Sequence, residues 1–269
     1  MHSDAAGDEK AHRPREDAVM TDYAPEHYAF RFPNAFVNHV WSARIPPRVG
    51  RRYEISTSGR CGGMAFASLD FFHFRMLVPP VTSSDFLSSV VPPDGHPLAD
   101  YTYTRQLHSM LTKVGGLYDG VRYLRWSGQR TATILAKTAV EEQKVVASID
   151  RGQPVVLGLI RATSRSLKAQ GQNHQVVCYG YRFDASGHLE FYIYDPNEPV
   201  RASSNSPYEV ILKKANDVAH SAFPYQEDRA DRIDRWRGFF VAHYRPRSPD
   251  CPGLTSRSAQ RGPAPDDLR

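Results

Sequence analysis

The run Cys61-Gly62-Gly63-Met64-Ala65-Phe66-Ala67-Ser68-Leu69-Asp70-Phe71-Phe72 limits the possible folds of this protein more than any other stretch. A glycine-bearing loop, Ser58-Gly59-Arg60, leads into it. Past Cys61 the polar residues are few: Ser68, Asp70, His73 and Arg75. A helix that is apolar on nearly every face has to be buried, so the segment predicts a helix running through the core. Cys61 falls on its first turn. Unpaired N–H groups and the positive end of the helix dipole lie there and favour a thiolate over a thiol. Pro79-Pro80 stops the helix, because proline neither donates a backbone hydrogen bond nor continues a helix.

The protein has 269 residues, enough to bury a sizeable core between two tails. Residues 1–27 are rich in Asp, Glu, Arg, His and Ala without an apolar period, and are expected to form a disordered leader. Residues 246–269, dominated by Pro, Arg, Ser, Gly and Asp, are expected to be a disordered tail in which Cys251 is an incidental exposed thiol. Between them, 28–245 reads as one domain. Tyr28 to Trp41 carries spaced aromatics that suit a lead-in packed on the core. Residues 81–100, with Pro92-Pro93-Asp94-Gly95, read as a long loop and a candidate cleft wall. A helix is expected over about 100–113, with Leu107, Met110 and Leu111 on one face, and another over about 139–150, with Val145, Val146 and Ile149 inward. The pattern then turns to strands. Val155 to Ile160 is a buried run, and Gln175 to Phe183 and Leu189 to Tyr194 flank the turn residues Asp184 to His188. Glu209 to Leu212 is strand-like, and Trp236 to Tyr244 reads as a closing strand. Helices first and an antiparallel sheet second make an α+β fold.

Several function classes lose support. Lys and Arg number 34 against 29 Asp and Glu, a net +5, but the basic residues are scattered without interleaved aromatics, which argues against a nucleic-acid partner. No stretch approaches the ~18 apolar residues of a membrane span, and the polar N-terminus lacks a signal peptide's apolar core. The expected location is therefore cytoplasmic, or exported without a classical signal peptide. Three cysteines are an odd, sparse set that argues against a disulfide framework. No Cys-x-x-Cys or His-x-x-x-His spacing points to a metal, and no cofactor motif is present. The oligomeric state has no signature.

What remains is nucleophilic chemistry. His174 opens the first hairpin strand and Asp195 closes the second, and residues entering one strand and leaving the next are spatial neighbours. Their midpoint lies within the turn, and a small register offset or bulge absorbs the difference. Asp195, or alternatively Asn197, can therefore orient His174 as an acid orients a catalytic imidazole. A thiol at a helix start, a histidine on a sheet and an orienter on the next strand are the parts of nucleophilic cysteine catalysis. Cys178, mid-strand, suits packing.

The order Cys61-Gly62-Gly63, Gly152-Gln153-Pro154-Val155-Val156, Asn173-His174-Gln175-Val176-Val177-Cys178-Tyr179-Gly180-Tyr181 and Tyr194-Asp195-Pro196 resembles the papain-like cysteine peptidase superfamily. It is most similar in motif order to bacterial peptidase domains that process double-glycine leader peptides. The resemblance covers about 56–200. It implies a buried N-terminal helix carrying the cysteine, packed on an antiparallel sheet. Cys61 would be the nucleophile, His174 the general base and acid, and Asp195 the orienter. The implied reaction is acyl transfer through a thioester, with a peptide or protein substrate and no cofactor. The sequence departs from the superfamily in one respect: residues 51–60 lack the usual glutamine that binds the oxyanion. The Cys61 N–H with Ser58, Asn38 or Gln129 are the candidate replacements, and Gly62 and Gly63 would let a substrate backbone approach the thiolate. Deamidation, transamidation and isopeptide cleavage use the same triad, as in a secreted effector. A non-catalytic binding protein on the same fold is the other reading, motivated by the missing glutamine.

Overall fold

The computed structural model describes residues 17–43, 53–86, 89–114, 117–200, 210–215, 222–229 and 232–249; for 38–43, 53–58, 113–114 and 117 the backbone alone is described. In sequence order the elements are β1 (Val19–Met20), α1 (Pro25–Tyr28), β2 (Val37–Ala43), β3 (Tyr53–Ser58), α2 (Cys61–His73), α3 (Pro97–Leu111), β4 (Lys113–Val114), β5 (Leu117–Tyr118), α4 (Asp119–Ser127) and α5 (Thr131–Ile149). Then follow β6 (Val155–Ile160), α6 (Leu167–Gln170), β7 (His174–Phe183), β8 (Leu189–Tyr194), β9 (Val210–Lys214), β10 (Tyr225–Asp228), β11 (Ile233–Trp236) and β12 (Gly238–Val241). The class is α+β.

The main sheet has eight strands, in the order β11-β10-β9-β8-β7-β6-β12 with β1 added on β7, and every pairing is antiparallel. Its two end strands, β11 and β12, are joined through a single residue, Arg237. The sheet must therefore curl until its ends meet. The expected closing strand over 236–244 is broken at this junction. Gly238 has φ 154, and a Cβ there would lie 2.3 Å from Thr138 Oγ1, so only glycine lets the backbone pass so close to α5. The Arg237 side chain is buried and spends its N–H groups on the carbonyls of Ser127 (3.2 Å), Ala162 (2.7 Å) and Gln129 and on Thr131 Oγ1 (3.1 Å).

Two cores follow from the curl. Inside it, Leu157, Leu159, Val176, Cys178, Phe191, Ile193, Leu212, Tyr225, Trp236 and Phe239 pack with Val145 and Ile149 of α5. On the outer face, Val156, Val177, Tyr179, Tyr192, Tyr194 and Phe240 meet α2, Trp126 and the aromatic lead-in Tyr23, Tyr28, Phe30, Phe32 and Phe36. Covering both faces explains why β6 and β7 read as continuous apolar runs rather than alternating ones.

Ten residues of α2, Gly62 to Phe71, are buried. One of them is a carboxylate. Asp70 is matched by Arg105 Nε of α3 (2.6 Å), Tyr101 Oη (2.9 Å), Tyr244 Oη (2.8 Å) and the Arg247 N–H (2.8 Å). This cluster ties α2 to α3 and to the segment after β12.

Several expectations are corrected. The boundary at 27/28 falls inside folded structure, because β1 pairs with β7 (Val19↔Tyr181) and Tyr23 is in the core. The boundary at 245/246 likewise falls inside packed structure, since Arg247 reaches Asp70; 1–16 and 250–269, with Cys251, lie outside the described residues. On α3 the inward face is Leu98, Tyr101, Thr102, Arg105 and Ser109, whereas Leu107 and Leu111 are 40% and 62% exposed. Arg105 is buried there with Asp70, while Met110 alone of the expected apolar face packs against the core. The helix expected over 139–150 begins earlier, at Thr131.

Candidate active site

Cys61 is the first residue of α2, and neighbours hold the donors of that first turn. Asn34 Oδ1 accepts the Arg60 N–H, and Gln106 Oε1 of α3 accepts the Gly63 N–H at 2.8 Å. The Gly62 N–H lies against the Cys61 sulfur. Arg60 caps the helix without a side-chain bond. Its guanidinium instead reaches Ala99 O (2.7 Å) and Asp94 Oδ1 (3.3 Å).

Gly62 and Gly63 are buried and do not line the cleft. A Cβ on Gly62 would fall 2.0 Å from Gln175 Oε1 and 2.3 Å from Ser109 Oγ; one on Gly63 would fall 2.0 Å from the Thr102 carbonyl oxygen. These glycines let β7 and α3 close on the start of α2, which corrects the expectation that they admit substrate.

His174 is the first residue of β7, paired with Leu159 of β6. Its carbonyl accepts from Tyr123 Oη at 2.9 Å, and its ring stacks on Trp236 with centroids 5.9 Å apart at 13°. Asp195 follows β8 and is buried. The register Val177↔Tyr194, extended, sets Asn197 opposite His174, with a bulge between Cys178 and Gly180. Asp195 therefore reaches the imidazole diagonally, as cross-strand neighbours two residues apart can. His174 Nε2 lies 2.6 Å from Asp195 Oδ1 and 3.3 Å from Asn197 Nδ2. The Asn197 N–H donates to the same carboxylate oxygen at 2.8 Å. The His174 side chain is near enough to the Cys61 thiol to act on its ionisation by charge and by hydrogen bonding.

Cys61 and His174 open on a cleft of about 670 Å³. Its walls are Asn34 and Gly59, the segment after β6 (Arg161, Thr163, Gly171 to Asn173), Asn197, and the β10–β11 region (Phe223, Arg229, Arg232, Asp234, Trp236). None of its described lining comes from 81–100, which corrects the expected cleft wall there; α3 packs on α2 and α4 against β6 instead. Gln129 is not at the thiol, since its side chain accepts from Lys137 Nζ at 2.9 Å. Ser58 and Asn38 lie on the paired strands β3 and β2, and their side chains are outside the described residues. Sequence reasoning missed Asn34, whose Nδ2 donates to Asn197 Oδ1 at 3.2 Å while its Oδ1 holds the residue before Cys61. The available signal was an amide after a proline, Pro33-Asn34, among the spaced aromatics of the lead-in, a segment that also carries Asn38.

Residues 93–226 match the Peptidase_C39 like family. The match supports a place in a cysteine peptidase superfamily. The matched span contains His174, Asp195 and Asn197 and ends short of Arg229, with Cys61 and Asn34 ahead of it. No curated protein and no solved structure matches this sequence. Among the described residues no group of His, Cys, Asp and Glu is arranged to hold a metal ion, and no helix is long and apolar enough to cross a membrane.

The electrostatics of the site follow from burial and charge together. Burial pushes the Cys61 thiol up, but the His174 charge and hydrogen bond and the N–H groups of Gln175 and Gly62 outweigh it, so its pKa lies below the ordinary value. Burial pushes His174 down, yet Asp195 and Cys61 raise it well above the ordinary imidazole range. Burial opposes ionisation of Asp195, and His174, a hydrogen bond from Glu227 and the Arg229 charge together hold it well below the carboxylate range. Arg229 is the second residue that sequence reasoning missed. Its buried guanidinium binds Asp195, Glu227 (2.9 Å), Glu198 (2.8 Å) and Asp234 (3.1 Å). Burial and the neighbouring Asp195 charge raise Glu227 well above its ordinary value. By contrast, burial alone pushes Cys178 up to about 12, as for a packed thiol.

Proposed function

We propose that the protein is a cysteine-dependent acyl-transfer hydrolase acting on peptides, with a papain-like arrangement in which Cys61 is the nucleophile, His174 the proton shuttle and Asp195 the orienter. The observation that carries this reading is His174 Nε2 held 2.6 Å from Asp195 Oδ1, with His174 and Cys61 on the wall of one open cleft and the imidazole acting on the thiol. With Nε2 turned to Asp195, the other ring nitrogen, Nδ1, is the one that serves the thiol. The superfamily match makes a peptide amide the first substrate to test, and the shared motif order extends that to leader-type segments.

In the first half-reaction the Cys61 thiolate adds to the substrate carbonyl carbon and the carbonyl π pair moves onto oxygen. The oxyanion is met by the Cys61 N–H, at the positive end of α2, and by the second N–H of the Asn34 amide, which takes the part of the absent glutamine. Collapse breaks the C–N bond while His174 passes its Nδ1 proton to the leaving amine, leaving a thioester and a neutral imidazole. In the second half-reaction His174 takes a proton from water as the water oxygen adds to the thioester carbonyl. Collapse then breaks the C–S bond and restores the thiolate and imidazolium.

The test is acid quenching during turnover of a quenched-fluorescence peptide library, followed by intact-mass measurement. A covalent adduct on Cys61, released by neutral hydroxylamine and missing in Cys61→Ala together with cleavage, is the expected result. Cleavage that persists in Cys61→Ala overturns the proposal.

A further inference from the structure

The described residues lining the cleft include three guanidiniums, Arg161, Arg229 and Arg232, and one carboxylate, Asp234. Asp234 touches all three: Arg229 Nη2 at 3.1 Å, Arg232 Nε at 3.2 Å and Arg161 Nη1 at 3.4 Å. Arg229 is 1% exposed and is already matched by Asp195, Glu198 and Glu227. Arg161 and Arg232 differ from it. Their side chains are 45% and 53% exposed, and they share Asp234 alone among the described residues. The contact to it is through Nη1 for Arg161 and through Nε for Arg232. Two solvated guanidiniums on one carboxylate leave a positive charge and several N–H groups facing the cleft. Guanidinium forks match a carboxylate bidentately, and the pairing strengthens once a bound substrate displaces water. Trp236 places the pair near the chemistry: its indole lies under Arg161 Cζ at 5.9 Å and stacks on His174 at 5.9 Å. Arg161 is thus within about three or four residues of extended peptide from the imidazole, at ~3.3 Å per residue.

We propose that Arg161 and Arg232 form a carboxylate subsite, so that preferred substrates carry an acidic group within about four residues of the scissile carbonyl. The proposal rests on the hydrolase reading for its substrate class. Its recognition chemistry is shared by an Asp or Glu side chain and by the free carboxylate at a peptide's end.

Peptide binding to the full-length Cys61→Ala protein, followed by fluorescence anisotropy at low ionic strength, tests it without turnover. The probes are eight-residue peptides of Ala, Ser and Gly with both ends blocked and one Glu stepped along the sequence. Their Gln counterparts and one Gln peptide with a free C-terminal carboxylate complete the set. The Glu peptide at its best position should bind about tenfold tighter than its Gln counterpart, and the gap should narrow as salt is added. The gap should fall towards unity when Arg161→Gln and Arg232→Gln are combined. A preference confined to the free-acid peptide assigns the subsite to a terminal carboxylate. Equal binding of Glu, Gln and free-acid peptides by the folded protein, or no binding of any, overturns the proposal. So does a Glu preference that survives in either single variant and in the double variant. Wild-type cleavage is scored separately. Absence of cleavage with the Glu preference intact counts against the hydrolase reading alone, and cleavage without preference counts against the subsite alone.

Discussion

If the thiol of Cys61 is ionised by its histidine, its alkylation should cross that of a free small thiol as pH changes. An ordinary thiol of pKa about 8.5 is ~0.1% thiolate at pH 5.5. In that range each unit by which Cys61 is lowered multiplies its thiolate fraction by ten. A lowered pKa also makes the thiolate itself a poorer nucleophile, by about threefold per unit. The net gain in acid is therefore about threefold per unit, while above pH 9, where both thiols are ionised, Cys61 is the slower by about threefold per unit. A faster rate in acid together with a slower rate in alkali cannot come from exposure, which would act at both ends. His174→Ala removes the main opposition to burial, leaving only the N–H groups of Gln175 and Gly62 to favour the thiolate. Its labelling at pH 5.5 should fall below that of the free thiol. The assay is iodoacetamide labelling with peptide mass spectrometry, and Cys178, pushed up to about 12, serves as the silent internal control. A Cys61 profile with one ionisation at or above the ordinary thiol value, unchanged in His174→Ala, would refute the ion pair.

Other perturbations separate the site from its scaffold. Asn34→Ala should lower kcat by about 10²-fold if its amide stabilises the oxyanion, with Cys61 labelling in acid preserved; equal loss of both would make Asn34 only a support for the helix start. Asp70→Asn strands the buried Arg105 guanidinium and should cost about 3–5 kcal/mol in urea unfolding, and a loss below about 1 kcal/mol would show that the cluster does not hold α2 to α3. Glu227→Gln replaces a carboxyl that burial and Asp195 keep protonated. The raised group stabilises below its unfolded pKa of about 4.5, and that contribution is lost as pH rises toward its folded value. The variant should therefore gain on the wild type by about 1.4 kcal/mol per pH unit above that point, and a pH-independent difference would show that Glu227 is ionised in the fold.

The site was legible where local pattern and topology coincide. The turn at Asp184 to His188 fixes which strands pair, so His174 and Asp195 meet although 21 positions separate them. Both proposed orienters touch Nε2, because register sets Asn197 opposite while the diagonal reach belongs to Asp195. Residues that act from outside their local pattern were not legible. Asn34 is separated from Cys61 by the whole β2–β3 hairpin, and no periodicity links them. Arg105 reads as a polar residue on an amphipathic helix, yet it points inward because Asp70 waits there. The break at Arg237-Gly238 was hidden because Trp236 to Tyr244 is apolar enough to pass for one strand, whereas it feeds opposite ends of the sheet.

That break explains why one end of the curl carries the site. With β11 and β12 joined by one residue, the end of β6, the start of β7, the exit of β8 and the end of β11 converge, bringing Arg161, His174, Asp195 and Trp236 together. The same closure delivers Arg229, which follows β10, to the back of Asp195. An isolated buried aspartate would take up a proton rather than stay charged. Here Arg229 and His174 share its two oxygens and hold its pKa low, while burial and the Asp195 charge raise that of the neighbouring Glu227. The two adjacent buried carboxyls are thus pushed apart in pKa, and the lower one is on the imidazole. His174 therefore faces a fixed negative charge through the acid range where Cys61 is expected to remain a thiolate. The curl of the sheet thus supplies, through His174, the largest of the influences that lower the Cys61 pKa.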